Sequence, residues 1–323
     1  MTTVRVYVSV CINDDNVKTT RELIHHVELA NESNTGARLE LVVVDTGGHA
    51  WRHHTAALAE RASSDKHAVA YLGDYYSAQV AISAPILAGA GLLQVAPLAN
   101  EHLPAGETLV QLVPANAAGG ATLARWLTTH AVTDLLIVHD YGTGTAEHDA
   151  AEWAAITAEA GVRTRMRRVW DHDERPQDDI ADARAVCYVG VAGSGAFDLW
   201  NGLHTMDPAL WLLGTEGVAQ PWLAAGLSDG AAERTRFFTS RRAGVGAYGF
   251  EAMTLIIDAV TRAGADRAAV AAVARTARQR VGAFGRYTLD GAGRADASFG
   301  VMCVVAGELV WETPALSRDA TDQ

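Results

Sequence analysis

The sequence predicts a doubly wound α/β protein divided into two lobes. Three observations carry that reading. Short apolar β-rich runs alternate with stretches of helical spacing through most of the chain. Several runs, Leu41-Val42-Val43-Val44 and Leu135-Leu136-Ile137-Val138 among them, are continuously apolar, as strands buried on both faces of a parallel sheet are. The length, 323 residues, suits two domains at roughly 100–200 residues each.

Taken in order, residues 4–11 alternate as a first strand, and Leu23, Val27 and Ala30 then share a helix face at i, i+4, i+7. Further strands are expected at 39–45, 67–72, 92–96, 109–113, 134–139, 162–169, 185–190, 210–214 and 236–239. Trp153, Ile156 and Ala160 mark one intervening helix, with Gly161 at its C-cap. Repeated βαβ units cross over right-handedly and give a doubly wound sheet. The order changes near the C-terminus. Two consecutive helices are expected at 246–263 and 265–281, then a turn at Asp290-Gly291-Ala292-Gly293, then a hairpin of 300–305 and 308–311 turned by Ala306-Gly307. The tail 317–323 is polar and reads as disordered. No Pro-, Gly- or Ser-rich linker separates the lobes, so several crossing segments should join them.

Composition narrows the function classes. Asp+Glu number 38 against 26 Lys+Arg, a net charge of −12. An acidic surface repels phosphate backbones and anionic membranes, so neither nucleic acid nor membrane is expected as a main partner. No apolar run approaches the ~20 residues that span a bilayer. Cys11, Cys187 and Cys303 are odd in number and lack C-x-x-C spacing, which argues against a disulfide framework or a thiolate zinc site. Met1-Thr2-Thr3 leads directly into the first strand without a basic n-region or apolar h-region. Two expectations follow, a cytoplasmic chain or one whose leader has been removed.

Catalytic motifs are absent: no G-x-S-x-G, no H-E-x-x-H, no P-loop. Gly190, Gly193 and Gly195 follow a strand without G-x-G-x-x-G spacing. His49, His53 and His54 beside Trp51 read as a solvated helix start rather than a metal site, His25-His26 as a solvent-facing pair, and Asp171-His172-Asp173-Glu174 as an exposed acidic loop. No catalytic residue, metal or cofactor is expected.

Ligands of open α/β sheets sit beyond the carboxyl ends of strands. Four loops there stand out: Gly73-Asp74-Tyr75-Tyr76-Ser77, Ala96-Pro97-Leu98-Ala99-Asn100, His139-Asp140-Tyr141-Gly142-Thr143-Gly144, and Gly214-Thr215-Glu216-Gly217. Ser77 is either a plain N-cap or a carboxylate ligand at a helix N-terminus. Glu216, between glycines at a strand end, suits an ammonium group. Tyr75, Tyr76 and Tyr141 offer aromatic surface.

These loops, in this order, resemble those of type I periplasmic binding proteins, in the leucine/isoleucine/valine-binding branch of ABC-transporter solute receptors. The resemblance extends from Tyr71 through Asn100, Leu112-Val113-Pro114-Ala115 and Gly214-Thr215-Glu216-Gly217-Val218-Ala219 to Ala247-Tyr248 and the final hairpin. It implies two Rossmann-like lobes joined by three crossovers and closing on a ligand: lobe 1 from 1–113 plus 240–287, lobe 2 from 114–239 plus 288–316. Segments near Val113, Thr239 and Tyr287 would be the hinges. Residue by residue, it implies that Ser77 binds an amino-acid carboxylate, that Leu98 and Ala99 give backbone groups to the carboxylate and amine, that Asn100 stands where threonine is usual, that Tyr141 lines the second lobe, and that Glu216 binds the α-ammonium. Val191-Ala192-Gly193 replaces a usual aromatic, which implies a ligand side chain larger than valine's. Gly249 stands where aspartate is common, the loop Ile12-Asn13-Asp14-Asp15 is short, and an N-terminal disulfide is missing. The expected function is capture of a small polar solute, an amino acid or derivative, for an ABC permease. The alternatives are a cytoplasmic ligand-sensing regulator of the same fold and a cleft repurposed for catalysis.

Overall fold

The computed structural model describes residues 4–12, 17–36, 39–47, 51–100, 103, 106–139, 146–169, 177–190, 196–240, 244–296 and 299–312. The chain divides into two compact units: Met1–Asn116 with Arg241–Ser298, and Ala117–Ser240 with Phe299–Gln323. It therefore passes between them at 116–117, 240–241 and 298–299.

Unit 1 is built on β1 (Val4–Val10), α1 (Val17–Glu32), β2 (Leu39–Asp45), α2 (Trp51–Ser64), β3 (Ala68–Leu72), α3 (Ser77–Gly89), β4 (Leu93–Ala96) and β5 (Leu109–Gln111). Its five-stranded sheet runs in the order β2-β1-β3-β4-β5, parallel throughout. Strands β3 and β4 are buried along their whole length, as apolar runs in a sheet covered by helices should be. Strand β2 corrects one expectation. Its run Leu41–Val44 is not buried on both faces, because β2 is the sheet edge, and Val43 is left 44% exposed.

Later in the chain, α4 (Asn116–Thr129), β6 (Asp134–His139), α5 (Ala146–Glu159), β7 (Arg163–Arg168), α6 (Gln177–Ile180), β8 (Ala185–Val189), α7 (Ala196–Met206), β9 (Trp211–Thr215), α8 (Pro221–Gly226), α9 (Asp229–Glu233) and β10 (Thr235–Thr239) form most of unit 2. The chain then returns to unit 1 for α10 (Val245–Ala263), α11 (Arg267–Ala274), β11 (Arg280–Gly282) and β12 (Gly285–Tyr287), and ends in unit 2 with β13 (Gly300–Val305) and β14 (Glu308–Trp311). Unit 2's seven-stranded sheet has the order β14-β13-β10-β9-β8-β6-β7. Strands β10, β9, β8, β6 and β7 are mutually parallel, whereas β13 and β14 pair antiparallel. The hairpin turns at Ala306 (φ 52°) and Gly307 (φ 77°), the double positive φ that lets a two-residue turn follow strand twist.

In unit 1, α1 buries Thr20, Leu23, Val27 and Ala30 on one face. It packs on α10, whose Gly249 explains a sequence departure. A Cβ there would lie 3.0 Å from the Leu23 carbonyl oxygen, so an aspartate side chain would force the helices apart. The second C-terminal helix is shorter than the expected 265–281. The guanidinium of Arg275, just past α11, binds the carbonyls of Gly106, Leu109, Gly291 and Ala292. The chain then turns through Gln279 (φ 49°) into β11, paired antiparallel with β12. The third lobe boundary also moves. Residues 288–298 belong to unit 1, not to the second lobe, because Leu289 and Ala295 sit in its core and Arg294 donates to the Gln111 Oε1 at 2.9 Å. The tail 317–323 lies outside the described residues.

All three thiols are free. Cys187 in β8 is fully buried, and burial pushes its pKa far up; Cys11 is also raised, first by burial, while Cys303 is partly exposed. Native protein at mildly alkaline pH should therefore label at Cys303 first with a thiol reagent, and at Cys11 and Cys187 only on unfolding. Prompt native labelling of Cys187 would contradict its burial.

Candidate functional site

In unit 1 the loop after β3 is shaped by its first residue. Gly73 has φ +131°, and a Cβ there would lie 2.6 Å from the Ser9 carbonyl oxygen, so glycine alone fits. Its N–H donates to the Val95 carbonyl at 2.8 Å, which ties the loop to β4. Asp74 follows, fully buried, and its carboxylate accepts hydrogen bonds from the hydroxyls of Ser9, Tyr71 and Ser83. Burial pushes the Asp74 pKa up, and the bonds from Ser83, Ser9 and Tyr71 pull against that. The Tyr71 phenol is raised well above its ordinary value, first by burial and then by the Asp74 charge. Tyr75 and Tyr76 are half-buried and meet edge to face at 4.8 Å.

Ser77 is not the N-cap. Tyr76 holds that position, in extended conformation, and its N–H donates to Gln79 Oε1 at 3.3 Å. Ser77 is the first residue of α3, and its hydroxyl pairs with Asn100. The Asn100 N–H donates to Ser77 Oγ at 3.2 Å, and Ser77 Oγ lies 3.4 Å from Asn100 Oδ1. Two loops 23 residues apart thus meet beyond the carboxyl ends of β3 and β4, at the N-terminus of a thirteen-residue helix. The positive end of a helix dipole and a hydroxyl beside it together suit a carboxylate. The side chains of Leu98 and Ala99 are buried in separate unit 1 cores, which leaves only their backbone for a ligand. The Ala99 carbonyl accepts from Gln111 Nε2 at 2.9 Å, and the Asn100 carbonyl from the Asn116 N–H at 2.9 Å, so this second loop is also held from below.

In unit 2, Glu216 follows β9 at its carboxyl end and is 8% exposed. Ser240, directly after β10, donates its hydroxyl to Glu216 Oε2 at 3.2 Å. Sequence reasoning missed Ser240, because a serine 24 residues downstream carries no local signal; only the parallel pairing of β9 and β10 brings the two strand ends together. It also missed the role of Asp74. The available signals were polar residues inside apolar strands, Ser9 in Val-Tyr-Val-Ser-Val and Gln94 in Leu-Leu-Gln-Val-Ala. Tyr141, the Val191-Ala192-Gly193 stretch, His49 and the 171–174 cluster lie outside the described residues. Among the described residues no group of three His, Cys, Asp or Glu side chains could hold a metal ion, His53 and His54 are exposed on α2, and no helix is long and apolar enough to cross a membrane.

Two α/β units linked by three passes of the chain, with polar loops at the carboxyl ends of their strands, make up the type I periplasmic-binding-protein fold. No protein-family profile matches the sequence, and no curated protein matches it. Solved structures with this fold match it over nearly the whole chain. The leucine-binding protein LivK of Thermotoga maritima superposes with a TM-score of 0.83 at 19% identity, covering 96% of this chain and 98% of its own. The ABC-transporter solute-binding protein of Rhodopseudomonas palustris BisB5, solved with 3,4-dihydroxybenzoic acid, gives 0.80 at 15% identity over 96% of each chain. The branched-chain amino acid transporter substrate-binding protein LivJ of Streptococcus pneumoniae, solved with isoleucine, gives 0.78 at 12% identity, covering 96% of this chain and 100% of its own.

Proposed function

We propose that this protein is a solute receptor without chemistry of its own. It captures a small organic acid, an amino acid or a derivative, and passes it to an ABC-type permease. The observation that carries the reading is the Ser77–Asn100 pair at the start of α3 in unit 1. The proteins of the same fold support it through shared ligand chemistry. Leucine, isoleucine, benzoate and 3,4-dihydroxybenzoic acid, the ligands of four of them, all present a carboxylate. In this reading Ser77, with the backbone of Leu98, Ala99 and Asn100, takes the carboxylate. Glu216, oriented by Ser240, takes an α-ammonium if the ligand has one. Tyr75 and Tyr76 offer aromatic surface to the ligand body, a role the sequence also suggests for Tyr141.

Calorimetry with glycine, alanine, valine, leucine, phenylalanine and benzoate tests this directly. Leucine and phenylalanine should bind more tightly than glycine or alanine, because a larger apolar group adds ~25 cal/mol per Å² removed from water. Glu216→Gln should weaken amino-acid binding by ~1–3 kcal/mol, the scale of a charge-assisted hydrogen bond, while leaving benzoate unchanged. Ser77→Ala should weaken both kinds of ligand. If none of these acids binds the wild-type protein, the reading falls.

Ligand capture in this reading is coupled to motion of the two units. In this reading the three passes at 116–117, 240–241 and 298–299 serve as the hinges, since each unit keeps its own sheet. Small-angle scattering should show a smaller radius of gyration with saturating ligand, and an unchanged curve would count against closure.

A further inference from the structure

Asp74 is a costly residue to bury. It is 0% exposed, and the groups bonded to its carboxylate are three hydroxyls rather than a cation. An isolated buried charge is expensive unless hydrogen bonds satisfy it. Its geometry shows what it does. One carboxylate oxygen accepts from Ser9 on β1 and from Tyr71 on β3 at 2.9 Å; the other accepts from Ser83 on α3 at 2.6 Å. A single side chain thus ties two neighbouring strands to the helix that begins at Ser77.

The same loop is held from both sides. Gln94 on β4 donates its amide to the Gly73 carbonyl at 2.9 Å and to Ser83 Oγ at 2.8 Å. Gln79, which accepts from the Tyr76 N–H, donates to Thr46 Oγ1 at 2.8 Å, and Thr46 in turn donates to the Val10 carbonyl at 2.9 Å. Ser9, Thr46, Tyr71, Asp74, Gln79, Ser83 and Gln94 are each at most 2% exposed. Surface loops are ordinarily held by their own turns and by water. This one is bolted to three strands (β1, β3 and β4), to Thr46 just past β2 and to α3 through buried polar groups, with the Gln94 Oε1 left without a partner among the described residues, and such networks restrict a loop to one geometry.

We propose that Asp74 is a positioning residue that presets the Gly73-Asp74-Tyr75-Tyr76-Ser77 loop, so that Ser77 and the first turn of α3 are in ligand-binding geometry before the ligand arrives. The proposal rests on the solute-receptor reading for the ligand itself. Preorganisation raises affinity by removing the ordering cost at binding.

The test compares wild-type protein with Asp74→Asn, which keeps the shape but places a donor among donors, and with Ser83→Ala and Tyr71→Phe, which each remove one arm. Hydrogen–deuterium exchange is read on peptides covering 73–80 and, as a control, on peptides from α10. Loop exchange should rise by about tenfold, the scale of one lost hydrogen bond to a charged group, with α10 unchanged. Affinities for leucine and benzoate should fall together by about tenfold, since the loop serves the carboxylate both share, whereas Glu216→Gln separates the two ligands. If Asp74→Asn fails to fold, Ser83→Ala and Tyr71→Phe are read by the same criteria. Unchanged loop exchange in every folded variant overturns the proposal. So does a uniform rise that includes α10, or a mobile loop with undiminished affinity. If no acid binds wild-type protein, the receptor reading fails, and the exchange measurement alone still decides whether Asp74 fixes the loop.

Discussion

Trp153→Ala should destabilise the protein by ~3–5 kcal/mol, the cost of emptying a large aromatic site in a packed core. Trp153 on α5 is 0% exposed and lies edge-on to Phe238 of β10 at 6.4 Å. Its ring also occupies the space above two glycines of α4. A Cβ on Gly119 would come within 2.5 Å of Trp153 and 2.8 Å of Phe299, and one on Gly120 within 3.2 Å of Trp153. The fit is mutual, so the two sides can be tested together. Gly119→Val alone should destabilise by overpacking, by ~1–3 kcal/mol. The double variant Gly119→Val with Trp153→Ala should lose less than the sum, because the valine enters the emptied space. Chemical denaturation measures all three. Additive losses would mean that Trp153 and Gly119 do not share this space. The packing bears on the candidate site as well, since Phe238 lies two residues before Ser240, the hydrogen-bond donor to Glu216. A loosened α4–α5 layer should therefore weaken the proposed ammonium binding at Glu216 before the unit unfolds.

Strands were legible because a parallel sheet covered by helices leaves continuous apolar runs, and Leu135–Val138 is buried as its composition implies. The same signal misled at Leu41–Val44, since apolar content does not tell a central strand from an edge strand. The second C-terminal helix was drawn too long because Ala-rich spacing continues past Ala274, while the Arg275 contacts that end it reach carbonyls up to 169 residues away in sequence. The third boundary was placed early because Arg294 and Ala295 take their partners from Gln111, on a strand formed far upstream. Position at strand ends suggested Ser77, Asn100 and Glu216 as candidates but not the partners that orient them. Asp74 between glycine and tyrosine looks like turn chemistry, and its hydroxyl partners come from other elements. Long-range polar pairing has no period, so only the folded chain displays it.

Glu251→Ala should cost ~3–5 kcal/mol, because it breaks a buried pair from one side. Glu251 on α10 is 2% exposed. Its Oε1 accepts from Arg280 Nε and from the Tyr287 hydroxyl at 2.9 Å, and its Oε2 from the Ala283 N–H at 3.1 Å. One carboxylate thereby closes the β11–β12 hairpin onto α10. Phe284 completes the closure, stacked on Tyr248 at 4.4 Å and on Tyr287 at 5.0 Å. The Tyr287 phenol is raised, first by burial and then by the Glu251 charge, so it stays a neutral donor to Glu251 through the physiological range. Removing Glu251 leaves the Tyr287 hydroxyl and the Ala283 N–H without this partner and Arg280 with Asp258 as its remaining carboxylate. Asp258 is the built-in contrast. It meets the same guanidinium, but its side chain is 48% exposed, and an ion pair wetted to that degree contributes only ~0–1 kcal/mol. Asp258→Asn should therefore barely move the denaturation midpoint, and Glu251→Gln, which keeps the shape and loses the charge, should fall between the two. Equal losses for Glu251→Ala and Asp258→Asn would mean that Arg280, not Glu251, is the group that holds the hairpin.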